Sequence, residues 1–337
     1  MKKVLVTGAT GFIALHCIEQ LLRDGYAVRS TVRTPSRISE VKDAIAAQGL
    51  EADTVEFTQA DLMNTDGWDE AVKGCEYVLH VASPFIVGLP KHEDELIIPA
   101  VRGTETVISA AIRHKVKRVV LTSSCAAITD TFDGRTHFTE ADWSDTNHPK
   151  TSAYYKSKTL AERRAWELIE AQSQKGKTTE LSVINPAGVI GPSLTDDIGT
   201  ANEFVRKILA GEVPGCPRLH LGFVDVRDVA TAHILAMTHK EAAGERFIIS
   251  EREFWFKEFC AVLRDAGYKK APTMQMPDFM VRLFGLFDPA TRQIGTMLGA
   301  ERYTPSDKAK SVLGWKPRDA RDSIRETATQ IIEKKLV

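Results

Sequence analysis

Tyr154 and Lys158 stand four residues apart in a segment with helical spacing, and such a pair could transfer a proton. Side chains four apart lie on one face of a helix, so they can meet. A free phenol keeps its proton up to about pH 10, and a nearby ammonium favours the ionised form. Because this spacing is also common on solvated helix faces, it indicates a catalytic pair only if a further reactive residue lies nearby.

Ser123 and Ser124 supply that further residue, because they follow the apolar segment Arg118 to Thr122. The segment is typical of the fifth strand of an open parallel sheet. The carboxyl ends of such strands face the ligand crevice. A serine at this position therefore favours a catalytic role for Tyr154 and Lys158.

A glycine pattern near the start of the sequence could hold a dinucleotide. Residues 4–14 read VLVTGATGFIA, which is an apolar strand, a tight glycine turn and the beginning of a helix. Gly8 permits the turn, and Gly11 lets backbone N–H groups approach a pyrophosphate at the positive end of the helix. Ala14 takes the last position of the pattern, where a small residue serves helix packing.

The second expected strand ends in a cation instead of an acid. NAD sites usually carry Asp or Glu about 20 residues beyond the glycines, where it binds the ribose hydroxyls. Here the strand ends at Arg33, and Arg37 follows. A guanidinium fits a 2'-phosphate, which a carboxylate would repel. The pattern predicts NADPH as the cofactor, and the alternative is that both arginines are surface charges.

A parallel sheet would position all of these residues, and the first half of the chain has the alternation of strands and helices that such a sheet requires. Strands are expected at Lys3 to Thr7, Ala27 to Val32, Thr54 to Thr58, Tyr77 to Val81, Arg118 to Thr122 and Glu180 to Ile184. Helices are expected around Ile13 to Arg23, Arg37 to Ala47, Asp66 to Lys73, Glu95 to His114 and Tyr154 to Gln172. The fold class is therefore α/β, a doubly wound parallel sheet of the Rossmann type.

The chain of 337 residues favours one large domain with a smaller dependent lobe. After Pro186, closely spaced Gly and Pro residues break the chain into short pieces, so the smaller lobe should begin there. The segment His220 to Met237 resembles a strand followed by a helix that returns to the main sheet. We expect a dinucleotide-binding domain over residues 1–187 with 218–250, and an interleaved substrate lobe over residues 188–217 and 251–337.

Composition and charge exclude several classes of function. The net charge of -1 lacks the basic excess of a nucleic-acid binder, and no apolar run approaches the roughly 18 residues of a membrane helix. The cysteines are scattered without a Cys-x-x-Cys pair, and the histidines form no ligand-like cluster, so free thiols and no metal are expected. Polar residues follow the first strand too early for a signal-peptide core, which favours a cytoplasmic protein.

Nine motifs in order resemble the extended short-chain dehydrogenase/reductase superfamily over essentially the whole chain. The nearer likeness is to its dihydroflavonol-reductase-like branch of aldehyde and ketone reductases. The motifs are the glycine segment, Val28 to Arg33, ADL at 60–62, HVASP at 80–84, LTSS at 121–124, Tyr154 to Lys158 with TLAE after it, NP at 185–186, FVDVRDV at 223–229 and LGWKP at 313–317.

The resemblance implies an NADPH-dependent oxidoreductase that transfers hydride to a ketone or aldehyde. Tyr154 would donate the proton to the carbonyl oxygen, Lys158 would hold the nicotinamide ribose and assist Tyr154, and Ser124 would hydrogen-bond the same oxygen. The implied cofactor-binding residues are Thr7, Gly8, Thr10, Gly11, Phe12, Ile13, Arg33, Arg37, Asp61, Leu62, Ala82, Tyr154, Lys158 and Pro186.

The substrate should be a small molecule held in a pocket beside these motifs. Its expected lining is Ser83, Phe85, Ser124, Ile128 and Tyr155, together with the loop after Gly188. An apolar lining would favour aryl or branched aliphatic ketones and aldehydes.

Two departures from relatives narrow the substrate further. Thr129 stands where plant dihydroflavonol reductases carry an asparagine that contacts the flavonoid hydroxyls, which argues against a flavonoid. Residues 152–157 read SAYYKS and lack the cinnamoyl-CoA reductase signature, so a thioester substrate is not supported.

Two other functions of the same fold stay open. A nucleotide-sugar epimerase or dehydratase would also use Tyr154 and Lys158, but it normally retains NAD and an acid in the place of Arg33. A regulatory protein that senses NADP without turnover commonly lacks the Tyr/Lys pair. The sequence also leaves open the physiological substrate, the stereopreference and the choice between a monomer and a homodimer.

Overall fold

A computed structural model of the protein describes residues 1–83, 90, 92–174, 176 and 179–337. The strands of the described chain are β1 (Lys3–Val6), β2 (Ala27–Val32), β3 (Glu56–Gln59), β4 (Tyr77–His80), β5 (Arg118–Thr122), β6 (Glu180–Pro186), β7 (Gly188–Ile190), β8 (His220–Asp225), β9 (Arg246–Ile249) and β10 (Arg252–Trp255).

Helices connect these strands. They are α1 (Phe12–Arg23), α2 (Ile38–Ala46), α3 (Trp68–Val72), α4 (Asp94–Arg113), α5 (Ala153–Ser173), α6 (Thr200–Ala210), α7 (Val226–Thr238), α8 (Phe256–Asp265), α9 (Asp278–Phe284), α10 (Pro289–Met297), α11 (Asp307–Leu313) and α12 (Ala320–Glu333). Within the described ranges, none of them is long and apolar enough to span a membrane.

The central sheet has seven strands in the order β3-β2-β1-β4-β5-β6-β9, and every neighbouring pair is parallel. Strands β1, β4 and β5 are rich in buried apolar residues because helices cover both faces of the sheet. The strand order reverses between β1 and β4, so a ligand crevice opens at their carboxyl ends. The predicted fold class is confirmed.

The expected strands and helices are all present, with their ends shifted by up to two residues. The shift is clearest at α3, which begins at Trp68 instead of Asp66. Gly67 precedes it with a φ of 82°, in the left-handed region, and a Cβ there would lie 2.4 Å from the carbonyl oxygen of Gln59. The tight approach of these two backbone segments therefore delays the helix.

The smaller sheet has the order β10-β8-β7, in which β7 and β8 are parallel and β8 and β10 antiparallel. Within residues 218–250, β8 thus joins the smaller sheet, whereas α7 packs beside α1 and β9 extends the central sheet. The chain changes layer at Asp225, whose carboxylate accepts a hydrogen bond from the Arg227 N–H and starts α7. A second apolar core lies under the smaller sheet, between α8 and α12.

Candidate active site

The glycine turn between β1 and α1 forms a cradle for a phosphate group. Gly8 has a φ of 76°, and a Cβ on it would lie 2.9 Å from the Ala82 Cβ, so only glycine fits. Gly11 caps α1 without a side-chain partner, and the first turn of α1 carries no acid. The N–H groups of Phe12 and Ile13 therefore have no intrahelical acceptor and can bind an anion, with Thr10 in the turn before them. These residues fit the pyrophosphate of a dinucleotide.

Two buried threonines hold this turn in place. The Thr7 hydroxyl accepts a hydrogen bond of 2.9 Å from the Ala82 N–H and lies 3.0 Å from His80 Nδ1. The Thr31 hydroxyl accepts a 2.9 Å hydrogen bond from the Gly8 N–H. Burial lowers the pKa of His80 to about 3, so its ring is neutral. Thr31 was missed in the sequence because a threonine inside a strand gives no signal of its own.

The two predicted arginines both follow β2 in the chain. Arg33 follows β2 and is exposed, and its guanidinium has no hydrogen-bond or ion-pair partner among the described residues. Arg37 is also exposed, but it is paired with Glu40. Of the two guanidinium groups, the one of Arg33 is therefore without a partner in the part of the chain that the structure describes.

Asp61 and Leu62 follow β3 at the same edge of the sheet. The Asp61 carboxylate accepts a 2.9 Å hydrogen bond from the Met63 N–H, and its backbone carbonyl accepts one from the Trp68 indole. Leu62 is half-buried against Gly103, where a Cβ would lie 3.1 Å from the Leu62 Cβ. Both residues are thus fixed by local contacts beside the crevice.

The predicted catalytic pair lies on the first two turns of α5. The Ser152 hydroxyl caps this helix by accepting a hydrogen bond from the Tyr155 N–H. The Tyr154 side chain is 41% exposed, and the Lys158 Nζ lies 5.7 Å from the centroid of its ring. The same Nζ donates a 2.9 Å hydrogen bond to the Ser83 hydroxyl, which follows β4. The structure therefore brings Tyr154 and Lys158 together at the carboxyl edge of the sheet.

Ser124 lies directly beyond β5 in an extended conformation with a φ of -165°. Its hydroxyl oxygen accepts a 3.1 Å hydrogen bond from the Ala126 N–H, which fixes the oxygen at the start of a short 3-10 turn. Pro186 ends the neighbouring β6 and is buried. Ser124 and Pro186 therefore lie at the ends of two neighbouring strands, as expected for residues that face the crevice.

The predicted substrate residues differ in their surroundings. Ser83 is exposed and bonded to Lys158, whereas Ile128 is fully buried with Phe138 and Ile248 and presents no open surface. Tyr155 is half-buried beside Thr129, and burial raises the pKa of its hydroxyl to about 12. Phe85 lies outside the described residues.

Cys125 follows Ser124 but has the environment of a packing residue. Its thiol donates a 3.2 Å hydrogen bond to the Asn185 carbonyl, and burial raises its pKa to about 12. A thiol held in its protonated form is a poor nucleophile. The structure therefore gives Cys125 no nucleophilic role at neutral pH.

Comparison with known proteins shows the family to which the chain belongs. A profile of the NAD dependent epimerase/dehydratase family matches residues 4–250. The chain belongs to this family, and the predicted resemblance to extended short-chain reductases is confirmed.

Individual relatives are similar over nearly their whole length. A cinnamoyl-CoA reductase of Medicago truncatula is 33% identical, covering 98% of this chain and 96% of the relative. An NADPH-dependent methylglyoxal reductase of Saccharomyces cerevisiae is 30% identical, covering 98% of each chain. The crystal structure of yeast methylglyoxal/isovaleraldehyde reductase complexed with NADPH superposes with a TM-score of 0.81, at 29% identity and 99% coverage of both chains.

Proposed function

We propose that Tyr154, Lys158 and Ser124 form the reacting centre of an NADPH-dependent carbonyl reductase. The reaction class rests on relatives that match this chain from end to end and are named as reductases, one of them NADPH-dependent and one solved with NADPH. The protein is therefore an oxidoreductase that uses NADPH to reduce a carbonyl group. The assignment of individual residues to this reaction is the proposal.

The observation that carries the assignment is the position of the Lys158 ammonium. It lies between the Tyr154 ring and the Ser83 hydroxyl, so residues from α5 and from the end of β4 meet at the crevice. Residues at this edge contact the ligands of open parallel sheets. A surface Tyr/Lys pair on a solvated helix face would not be joined to a strand end.

NADPH supplies the hydride when it is bound. Tyr154 then donates its phenolic proton to the carbonyl oxygen, and the Lys158 ammonium favours the phenolate that remains. Ser124 donates a second hydrogen bond to the same oxygen, and two such donors stabilise the developing alkoxide. The protein contributes placement and electrostatics to chemistry that belongs to the cofactor.

The cofactor would extend along the carboxyl edge of the sheet. The backbone of Gly11 to Ile13 would bind the pyrophosphate, and Asp61 and Leu62 would flank the adenine. Ala82 and Pro186 would lie beside the nicotinamide half. Arg33, whose guanidinium has no partner within the described ranges, would bind the 2'-phosphate and favour NADPH over NADH.

The substrate is proposed to be an aryl or branched aliphatic ketone or aldehyde. Thr129 is buried beside the half-buried Tyr155, at the position where plant dihydroflavonol reductases carry an asparagine that contacts the flavonoid hydroxyls. The relatives named for methylglyoxal and isovaleraldehyde agree with small aliphatic carbonyl compounds. Without the amide of that asparagine, the site favours compounds without several hydroxyl groups.

Location and domain organisation complete the proposal. The five cysteines are free thiols, which agrees with a reducing compartment such as the cytoplasm. We assign residues 1–187 with α7 and β9 to cofactor binding, and residues 188–217 with β8 and residues 251–337 to the substrate lobe. None of these assignments depends on the oligomeric state.

Tyr154→Phe tests the proposed centre, because it removes the proton donor and keeps the ring. NADPH oxidation is measured against aryl ketones, keto esters, aldehydes and sugar nucleotides, and NADPH binding is measured by fluorescence. We expect a loss of turnover of at least about a hundredfold, within the range of general acid catalysis, with NADPH affinity within a few-fold of wild type. Tyr268→Phe is the matched control, since its hydroxyl bonds Thr329 in the other lobe. Activity of Tyr154→Phe within a few-fold of wild type would refute the assignment, and a response to sugar nucleotides alone would refute the substrate class.

A further inference from the structure

Glu162 is a buried acid that continues the catalytic face of α5. Tyr154, Lys158 and Glu162 are spaced by four residues, so they lie along one side of the helix. The Glu162 side chain is fully buried, yet it takes no part in the mechanism described above. A buried carboxylate is costly unless it is paired and hydrogen-bonded, so its partners indicate what it does.

Two of the hydrogen-bond donors to Glu162 come from the two strand ends beside the crevice. The Ser123 hydroxyl, directly beyond β5, donates to Glu162 Oε2 over 2.5 Å. The Asn185 amide, near the end of β6, donates to the same oxygen over 2.8 Å. One carboxylate oxygen therefore joins α5 to both strands.

Ser123 and Asn185 both connect Glu162 to the backbone of Ser124. Ser123 precedes it in the chain, and the Asn185 amide also donates a 3.2 Å hydrogen bond to the Ser124 carbonyl. The position of the Ser124 backbone relative to α5 is thus fixed through Glu162. Hydrogen bonds that involve an ionised acceptor are short and directional, so the connection is stiff.

Arg246, the first residue of β9, neutralises this carboxylate. Its Nε donates to Glu162 Oε1 over 2.5 Å, and its Nη1 donates to the carbonyls of Glu140 and Asp142. The guanidinium also lies 3.8 Å from the centroid of the Trp143 ring. Because Arg246 is only 7% exposed, the ion pair is held in the interior and salt screens it little.

We propose that Glu162 is a positioning residue, which sets the distance between Ser124, directly beyond β5, and Tyr154 on α5. The inference rests on the proposed function, since Ser124 and Tyr154 must act on the same carbonyl oxygen. A displacement of about 1 Å at a reacting group can lower a rate by about a hundredfold. The charged carboxylate is needed because it accepts from Ser123, Asn185 and Arg246 together.

Glu162→Gln tests this role, because the amide keeps the shape and replaces one acceptor oxygen by a donor. We expect kcat to fall at least tenfold, while KM for NADPH stays within about twofold. Ser123→Ala, which leaves the ion pair with Arg246 intact, should lower kcat by a smaller factor in the same way. Should Glu162→Gln fail to fold, Ser123→Ala carries the test alone, and a wild-type kcat would then overturn the proposal.

A matched control exists at the other end of the same two strands. Arg118, at the start of β5, is 3% exposed and donates a 2.8 Å hydrogen bond to Glu180, at the start of β6. Glu180→Gln removes a carboxylate from a buried arginine of the same sheet, away from the crevice. It should lower the melting temperature and leave kcat unchanged. An equal loss of kcat in Glu180→Gln would show that the effect of Glu162→Gln is general destabilisation.

A double-mutant cycle with Ser124→Ala separates positioning from structural damage. If Glu162 acts by placing Ser124, then Glu162→Gln should have little further effect in the Ser124→Ala background. Multiplicative losses would overturn the proposal. Wild-type activity in Ser124→Ala would instead refute the proposed function itself. An inactive Ser124→Ala with a fully active Glu162→Gln would refute only the positioning role.

Discussion

The guanidinium of Arg37 donates two hydrogen bonds, each of 2.8 Å, to the carboxylate of Glu40. Both side chains are partly exposed, at 45% and 32%. To bind a phosphate, Arg37 must weaken or break its ion pair with Glu40. Arg33 has no such partner among the described residues. The pairing therefore ranks Arg33 above Arg37 as the residue that would select NADPH.

Arg33→Asp should invert the preference for the cofactor. A hydrogen bond from a charged group contributes roughly 1.5 to 3 kcal/mol, which corresponds to about a ten- to hundredfold preference of the wild type for NADPH. The aspartate would repel the 2'-phosphate and offer a carboxylate to the ribose hydroxyls of NADH. The measurement is the ratio of kcat/KM for the two cofactors at fixed ionic strength.

Arg37→Asp is the comparison variant for this experiment. It should change the ratio by a smaller and more salt-sensitive factor, because Arg37 is solvated and already paired with Glu40. A wild type that uses NADH as well as NADPH would show that Arg33 does not face the cofactor. An Arg33→Asp ratio equal to that of wild type would show the same.

The parts of this site that the sequence could predict are those with a local signal. Gly8 stands in a recognisable turn after an apolar strand, and Tyr154 and Lys158 share a helix face by their spacing alone. Ser124 follows a strand whose place in the alternating pattern puts it at the crevice. In each case the order of residues along the chain is enough, without knowledge of tertiary contacts.

The parts that could not be predicted depend on contacts between distant segments. Glu162 and Arg246 are 84 residues apart, and only the tertiary fold brings their charges together. Ile128 was expected to line the substrate pocket but is fully buried against Phe138 and Ile248, because it follows a short 3-10 turn beyond β5 from which its side chain enters the core. The ion pair between Arg37 and Glu40, by contrast, could have been predicted, because the two residues are only three apart in the sequence.

Lys158→Ala should lower both the rate and the affinity for NADPH. One ammonium is proposed to bind the nicotinamide ribose and to assist the ionisation of Tyr154, so its loss affects both functions. Steady-state kinetics would give the rate, and equilibrium titration would give the dissociation constant of NADPH. A loss of rate with unchanged NADPH affinity would contradict the role in ribose binding.

Lys156→Ala is the control for the same helix. Lys156 stands two residues after Tyr154, so the two side chains do not share a face of the helix. Its ammonium is paired with Glu93 at 2.6 Å. It should retain the rate and the cofactor affinity of wild type. Equal losses in the two variants would indicate a general effect of charge on α5.

The stability of the protein should fall in mild acid because of His233. This side chain is fully buried on α7, where its Nδ1–H donates to the Val229 carbonyl over 2.7 Å and its Nε2 lies 2.6 Å from the Thr122 hydroxyl. Burial lowers the pKa of His233 to about 4 from a reference value of 6.5. The unfolded chain therefore binds a proton that the folded chain excludes.

The sign of the effect follows from linkage, because stability decreases with falling pH wherever the unfolded state binds more protons. The contribution of His233 is present above about pH 6.5 and is lost as the pH falls toward 4, and between pH 7 and pH 5 it amounts to about 2 kcal/mol. His80, whose pKa burial also lowers, acts in the same direction.

The measurement is the free energy of unfolding by denaturant at a series of pH values. His233→Gln should be less stable than wild type at pH 7, since it disturbs two buried hydrogen bonds, but its loss of stability between pH 7 and pH 5 should be smaller by about 2 kcal/mol. If the variant loses as much stability as wild type over this range, the acid sensitivity comes from groups other than His233.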